Sequence, residues 1–341
     1  MVHRGQAAFT VVFKHREVDN PQRRPFVLVG NAQVFTQLQA QRAHRVGNHF
    51  AVVRAEEDHV AILRAGTLQN RFDNLCVQEL RYRAGDAFQT LRTLDAEGLM
   101  PDQVQVGNET NPELMGEADW KTTRPGIDWP RNAALLNAGI KAVRDAGAQS
   151  AIQPLVMLHI AQPENVEPWF AAAWAHGVRD FDLIGLSYYR KWSTRDLDGL
   201  EQTINRLRHR YPAEVVVVET AYPFTTDAAD ASPNLLGADS LLPDYPATYE
   251  GQRRYMVDLT QRVKFAGGVG VVYWEPAWVS TPCSTRWGQG SNWENATYFD
   301  WRRGNEATPA ASFAKATYRE AAPRCCQSNA NLSPLRMPVK G

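Results

Sequence analysis

The chain has 341 residues, 44% of them hydrophobic, enough for one large domain of roughly 250 residues with additions. Lys plus Arg and Asp plus Glu number 37 each, so no net field draws the chain to nucleic acid or to an anionic membrane. No apolar run reaches the ~18 residues of a membrane-spanning helix, and residues 1–10 hold no apolar stretch of signal-peptide length, so no signal peptide is visible.

Composition changes sharply near Arg81. All 10 Trp and all 11 Tyr lie at or beyond Tyr82, whereas five of the 8 His (His3, His15, His44, His49, His59) precede it. Residues 1–81 are therefore treated as a separate, unassigned N-terminal segment. Its short apolar runs at 10–13, 26–30, 50–54 and 60–63 are strand candidates. Residues 33–45 are long enough for a helix, with only Val34 and Leu38 as an apolar stripe.

From residue 82 onward the pattern is regular. A helix is expected over 83–96, with Ala84, Phe88 and Leu91 on one face and Gly98 closing it. A strand at 104–107 follows, then a loop holding Trp120 and Trp129. The next helix carries Leu136, Ile140 and Val143 to Gly147, and leads to a strand at 155–159. The helix after that has Val166, Trp169, Phe170, Ala173 and Trp174 on its apolar stripe, where both tryptophans read as core. A strand at 183–188 precedes a helix for which Asp198 and Glu201 form a capping-box-like start. The run Val215–Val218 is too apolar for a strand with one wet face. A long loop over 220–248, a helix carrying Met256, Leu259 and Val263, a strand at 269–274 and a short helix near 310–318 complete the series. Residues 319–341 read as a disordered tail, where Cys325 and Cys326 are a free-thiol or loose-crosslink pair; with Cys76 and Cys283 they show no metal-type spacing.

Five apolar strands separated by Gly-closed helices imply parallel βαβ units. A doubly wound sheet would bring a Gly-rich phosphate loop, and neither G-x-G-x-x-G nor a Walker sequence is present. The strand ends instead read Asn108-Glu109, His159, Tyr188-Tyr189, Glu219 and Tyr273-Trp274-Glu275. Polar and aromatic residues at successive strand ends favour a (β/α)8 TIM-type barrel, with strands four to eight recognisable and the first three not identifiable in residues 1–81.

On this count Glu109 and Glu219 cap strands four and seven and face each other across the barrel mouth. Two such carboxyls suit glycoside hydrolysis, one protonating the leaving oxygen and the other attacking the anomeric carbon. Asn108 is a candidate to hydrogen-bond the sugar 2-hydroxyl; a turn-forming Asn is the plainer reading. Tyr188, Trp274, Trp278 and Trp293 are candidates to stack on pyranose faces, and His159 is either a pocket ligand or a satisfied strand-end histidine. Asp227, Asp230 and Asp239 offer oxygen ligands for calcium, though their spacing matches no EF-hand loop.

Residues 82–318 resemble glycoside hydrolase family 53, the endo-β-1,4-galactanases. The resemblance is carried by Pro101 through Asn111 (PDQVQVGNETN), Asp182 through Tyr189 (DLIGLSYY), Val217 through Pro223 (VVETAYP), Tyr245 through Thr248 (YPAT), Gly270 through Trp278 (GVVYWEPAW) and Trp293 through Ala296 (WENA). It implies a (β/α)8 barrel and a retaining hydrolase of β-1,4-galactan in type I arabinogalactan. Glu109 would be the general acid/base and Glu219 the nucleophile. No cofactor, a polysaccharide as the only partner, a monomer and a secreted or periplasmic location are what it leads one to expect.

The sequence departs from the family at two places: Arg190-Lys191-Trp192 follows the paired tyrosines where Pro is usual, and residues 1–81 lack the family's early Arg and His motifs. The second departure means either that this half has diverged beyond recognition or, as the compositional break favours, that the segment is foreign to the fold, such as one from a shifted reading frame or a wrong start. Two rival readings stand beside the galactanase: another β-glycanase of the same barrel superfamily, and an inactive sugar-binding or misfolded remnant.

Overall fold

The computed structural model describes residues 9–12, 27–30, 85–111, 113–114, 126–285 and 288–319, with 9–12 and 27–30 described by their backbone. Its centre is a seven-stranded sheet of β1 (Phe9–Val12), β2 (Val27–Gly30), β3 (Gln103–Val106), β4 (Leu155–Ala161), β5 (Leu183–Ser187), β6 (Glu214–Thr220) and β7 (Gly270–Tyr273), in the order β1-β3-β4-β5-β6-β7-β2. Strands β3 to β7 pair in parallel with their sequence neighbours. Helix α1 (residues 85–96) precedes β3. The crossovers run through α2 (Trp129–Gly147), α3 (Pro163–Ala175), α4 (Leu197–Arg210) and α5 (Tyr249–Phe265). These are consecutive β/α units of the (β/α)8 class, built as the five apolar runs require.

The two N-terminal strands lie at the ends of this sheet. β2 runs parallel to β7, as a barrel strand would, but β1 runs antiparallel to β3. Both fall within a residue of the apolar runs at 10–13 and 26–30. The expected strands at 50–54 and 60–63, the helix at 33–45, Cys76 and residues 320–341 lie outside the described residues. No described helix is long and apolar enough to cross a membrane.

Side-chain parity splits the core into two layers. Val104, Val106, Leu158, Ile184, Leu186, Val215 and Val217 face the helices in the main cluster. Met157, Leu183, Val216 and Val218 form a second cluster on the opposite face of the sheet. Each of these buried side chains contributes about 1.5–3 kcal/mol, which explains why β6 is apolar on both faces. Gly139 lets α2 lie against β3: a Cβ there would meet Val106 Cγ1 at 2.6 Å.

Several expected boundaries move. The N-cap of α4 is Asp196, whose side chain accepts from the Gly199 amide, not the Asp198–Glu201 box. Asp198 and Glu201 instead meet Arg262 on α5, an outward ion-pair cluster. Trp129 is the first residue of α2, not a loop residue, and its ring stacks on His176 at 5.5 Å. The expected terminal helix is a 3-10 helix, Pro309–Lys315, packed on α5 through buried Ala310 and Phe313.

β6 contains one irregularity that matters. Leu186 pairs with Val217, yet the next residue of β5, Ser187, pairs with Glu219. The extra residue, Val218, is a bulge. Without it, the period-two alternation that places Val216 and Val218 on the inner face would turn Glu219 outward.

Candidate active site

Glu109 stands at the end of a turn that β3 alone could not make. Gly107 has φ +80°, and a Cβ there would strike Thr110 Cγ2 at 2.5 Å and Leu114 Cδ1 at 2.8 Å, so the position takes only glycine. Glu109 itself has φ +46°, a left-handed conformation that costs a non-glycine residue about 1–2 kcal/mol. Contacts to β4 hold it there. The Asn111 side chain pairs with the Ala161 backbone through both its amide ends, at 2.8 and 2.7 Å. The Thr110 amide donates to the His159 carbonyl at 3.1 Å. Gln162 and Glu275, beyond the ends of β4 and β7, also have positive φ. Strained residues at three strand ends mark this rim as the functional one.

Glu109, Glu219 and His159 converge here: one carboxylate oxygen of each glutamate and one ring nitrogen of the histidine all lie within 4.8 Å of one another. Glu219 and His159 are buried, and Glu109 is partly so. The Tyr189 hydroxyl donates to Glu219 Oε2 at 3.1 Å. Burial and then the charges of Glu219, Glu109 and Glu275 push the Tyr189 phenol far above its ordinary value, so it stays a donor. Burial also raises the Glu109 carboxyl above the usual glutamate range, offset in part by a hydrogen bond from Ser187.

That hydrogen bond belongs to a closed ring. Ser187 Oγ donates to Glu109 Oε1 at 2.6 Å and lies 2.7 Å from His159 Nε2. His159 Nδ1 accepts from the Glu109 backbone amide at 3.4 Å. With Nδ1 an acceptor, the proton of the neutral imidazole sits on Nε2 and is donated to Ser187. Burial lowers the His159 pKa to about 3, so the ring is neutral.

The remaining expected residues divide. Asn108 flanks Glu109, its Oδ1 accepting from Gln105 Nε2 at 3.1 Å. Trp274 and Trp293 meet with ring centroids 6.4 Å apart, and Trp293 continues to Tyr189 at 5.7 Å. Trp192, from the departing Arg190-Lys191-Trp192 segment, packs edge-on against Tyr189 at 5.0 Å and is half-exposed. Trp278 is partly buried, its carbonyl accepting from Ser291 Oγ. Tyr188 requires correction: it is fully buried, and its hydroxyl donates to the Arg195 carbonyl at 3.0 Å, so it offers no face to a sugar. Alternation along β5 sends Ser187 and Tyr189 to the inner face and Tyr188 to the helix layer. Counting parity from Ser187 was the signal that separates the two tyrosines. Ser187, Tyr189, Asn111 and the buried Glu275 appear in the sequence only within motifs and strand ends, with no site role expected of them.

The loop acids do not gather. Asp227 meets Arg302 and Thr225; Asp230 accepts from the Ser232 and Ser291 amides and from Ser280; Asp239 pairs with Lys191. Asp230 thus ties the loop after β6 to the loop that carries Trp293. Asn295 does the same, donating to the Thr225 and Leu236 carbonyls.

Residues 86–313 match the model of glycosyl hydrolase family 53. An arabinogalactan endo-β-1,4-galactanase of Cellvibrio japonicus is 51% identical over 234 residues, covering 68% of this chain and 62% of that protein. An endo-β-1,4-galactanase of Bacillus subtilis is 31% identical over 195 residues, covering 56% of this chain and 42% of that one. Among solved structures, the GH53 catalytic domain of Ignisphaera aggregans superposes with a TM-score of 0.61 at 26% identity, over 70% of this chain and 65% of that one. The chain thus spans about three fifths of the length of its Cellvibrio relative. With the model matched over most of the chain and the family's fold beneath it, the chain belongs to glycosyl hydrolase family 53.

Proposed function

We propose that this chain is a retaining glycoside hydrolase that cleaves β-1,4-galactosidic bonds of galactan in type I arabinogalactan. The observation that carries the reading is the approach of Glu109 and Glu219 to within 4.8 Å, oxygen to oxygen, at the ends of β3 and β6. Retention needs carboxyls about 5–5.5 Å apart, whereas inversion leaves roughly 6.5–9.5 Å for a water.

In the first step the Glu219 carboxylate bonds to the anomeric carbon as the glycosidic C–O bond breaks. The Glu109 proton passes to the departing oxygen. In the second, Glu109 takes a proton from water, which attacks the same carbon and releases Glu219. The raised pKa of Glu109 keeps its proton available, and the permanent Tyr189 donor holds Glu219 in place. Asn108, held by its oxygen, offers its NH2 to the sugar 2-hydroxyl. Trp274 and Trp293 supply the stacking surface. Proton and nucleophile both come from side chains, so the reaction calls for no cofactor. The polymer is the one partner required, a monomer suffices, and the bulk of a wall polymer places the enzyme outside the cytoplasm.

Reducing-sugar release from galactan, mannan and glucan tests the reading. Galactan alone should be cut, and Glu219→Ala should abolish the cut. An inert galactan beside a hydrolysed mannan or glucan would overturn the substrate assignment. Equal, negligible hydrolysis by the wild type and Glu219→Ala would favour the remnant.

A further inference from the structure

We infer that Ser187 and His159 form a positioning pair that reserves Glu109 Oε1 as an acceptor, so that the transferable proton resides on Oε2. The inference rests on the reading of Glu109 as the acid/base. Its physical basis is the one-way order of the hydrogen-bonded ring. The Glu109 backbone amide donates to His159 Nδ1, which leaves Nε2 as the protonated nitrogen. Nε2 donates to Ser187 Oγ, and the single hydroxyl proton of Ser187 goes to Glu109 Oε1. A proton on Oε1 would face the Ser187 hydroxyl proton, leaving one of the two hydrogens unpaired in a buried site.

The protein supplies every part of this order. β4 brings His159 and β5 brings Ser187 to the inner face, one strand apart, and both side chains are fully buried. Pinning of the turn by Asn111 fixes the Glu109 amide that sets the imidazole tautomer. His159 is thus a positioning residue, not a sugar ligand: both of its ring nitrogens are engaged with protein atoms. In catalysis neither Ser187 nor His159 exchanges a proton. Oε2–H moves to the leaving oxygen, the C–O bond breaks, and Oε1 keeps its donor throughout. Other titratable groups around the site are Glu219 from β6, Tyr189 from the end of β5 and Glu275 from the end of β7.

Ser187→Ala removes the donor to Oε1. On galactan, kcat/KM should fall about tenfold, the worth of one hydrogen bond to a charged group. The basic limb of the pH–rate profile should move upward, because a lost donor to the carboxylate raises its pKa. On a 2,4-dinitrophenyl β-1,4-galactobioside, whose leaving group departs without a proton, the rate of glycosyl-enzyme formation should stay near wild type. Ser187→Cys, which keeps the volume and weakens the donor, should give the same pattern at smaller size and serves as the test if the alanine variant does not fold. An unchanged pH profile, or equal losses on both substrates, would overturn the pair's role. Glu109→Ala is the control on the underlying reading: it should lose galactan cleavage while still forming the intermediate from the dinitrophenyl substrate. If Glu109→Ala shows no such split while Glu219→Ala is inactive, the acid assignment itself fails.

Discussion

Ser187 and Glu219 sit side by side across β5 and β6 only because the bulge at Val218 shifts the register by one residue. The same inner-face row carries Tyr189, two residues beyond Ser187, whose hydroxyl reaches Glu219 Oε2 at 3.1 Å. Glu219 and Glu109 are therefore each held by a donor from one strand end. Tyr189→Phe removes the donor to Glu219 and leaves the ring stacking intact. We expect kcat to fall about ten- to a hundredfold with little change in KM, because the donor orients Glu219 and stabilises the charge it regains as it leaves in the second step. Steady-state kinetics on galactan would show it, and an unchanged kcat would mean that Glu219 is oriented without Tyr189.

Burial raises the Glu109 pKa above its ordinary 4.5. In its proposed role as general acid Glu109 must be protonated, so activity should decline as pH rises through that raised value. Stability follows the same sign: the folded state binds the proton more tightly than the unfolded chain. This contribution is complete below the unfolded pKa and is lost as pH climbs through the folded one. Glu109→Gln, which is always neutral, should therefore gain Tm relative to wild type at pH 7 and gain less at pH 4. Thermal unfolding at the two pH values measures it; an equal difference at both would remove burial of the charge as the cause.

Asn111 replaces a peptide group at the end of β3, bonding both backbone groups of Ala161. Asn111→Ala should cost about 1–3 kcal/mol of stability, the range for losing hydrogen bonds from partly buried groups. It should also release the strained Glu109 turn. Activity should drop by more than the loss of folded protein explains, because Glu109 loses its fixed position. Urea unfolding together with kcat on the folded fraction separates the two effects.

Trp274 follows directly on β7, and its ring meets that of Trp293 edge-on. Trp274→Ala should weaken galactan binding about tenfold, which corresponds to a stacking contribution near 1.4 kcal/mol. Calorimetric titration of galactotetraose into a Glu109→Ala background reads this without turnover. Unaltered affinity would place the sugar on other rings.

Much of this was legible in the primary structure. Buried parallel strands announce themselves as β-branched runs, and a glutamate at the end of two such runs needs only strand counting to be paired. Tyr188 differs from the expectation, and His159, open between a pocket ligand and a satisfied strand-end histidine, has both ring nitrogens bonded to protein atoms. Both lie at a strand end, where polarity and aromaticity alone do not say which side of the sheet receives a residue; parity counted along the strand does. Residues 1–81 carried no regular strand–helix period, and the two strands described there flank the sheet with one of them antiparallel.

The sequence by itself determined the order of β/α units, the family motifs and the identities of the two carboxylates, because these depend on local pattern and period. Tertiary structure decided what those carboxylates touch. The Val218 bulge turns Glu219 inward, the left-handed turn aims Glu109, and Ser187, His159 and Tyr189 become their donors and supports. Register between strands and backbone strain at their ends arise from pairing and packing over long sequence separations, which no local pattern encodes.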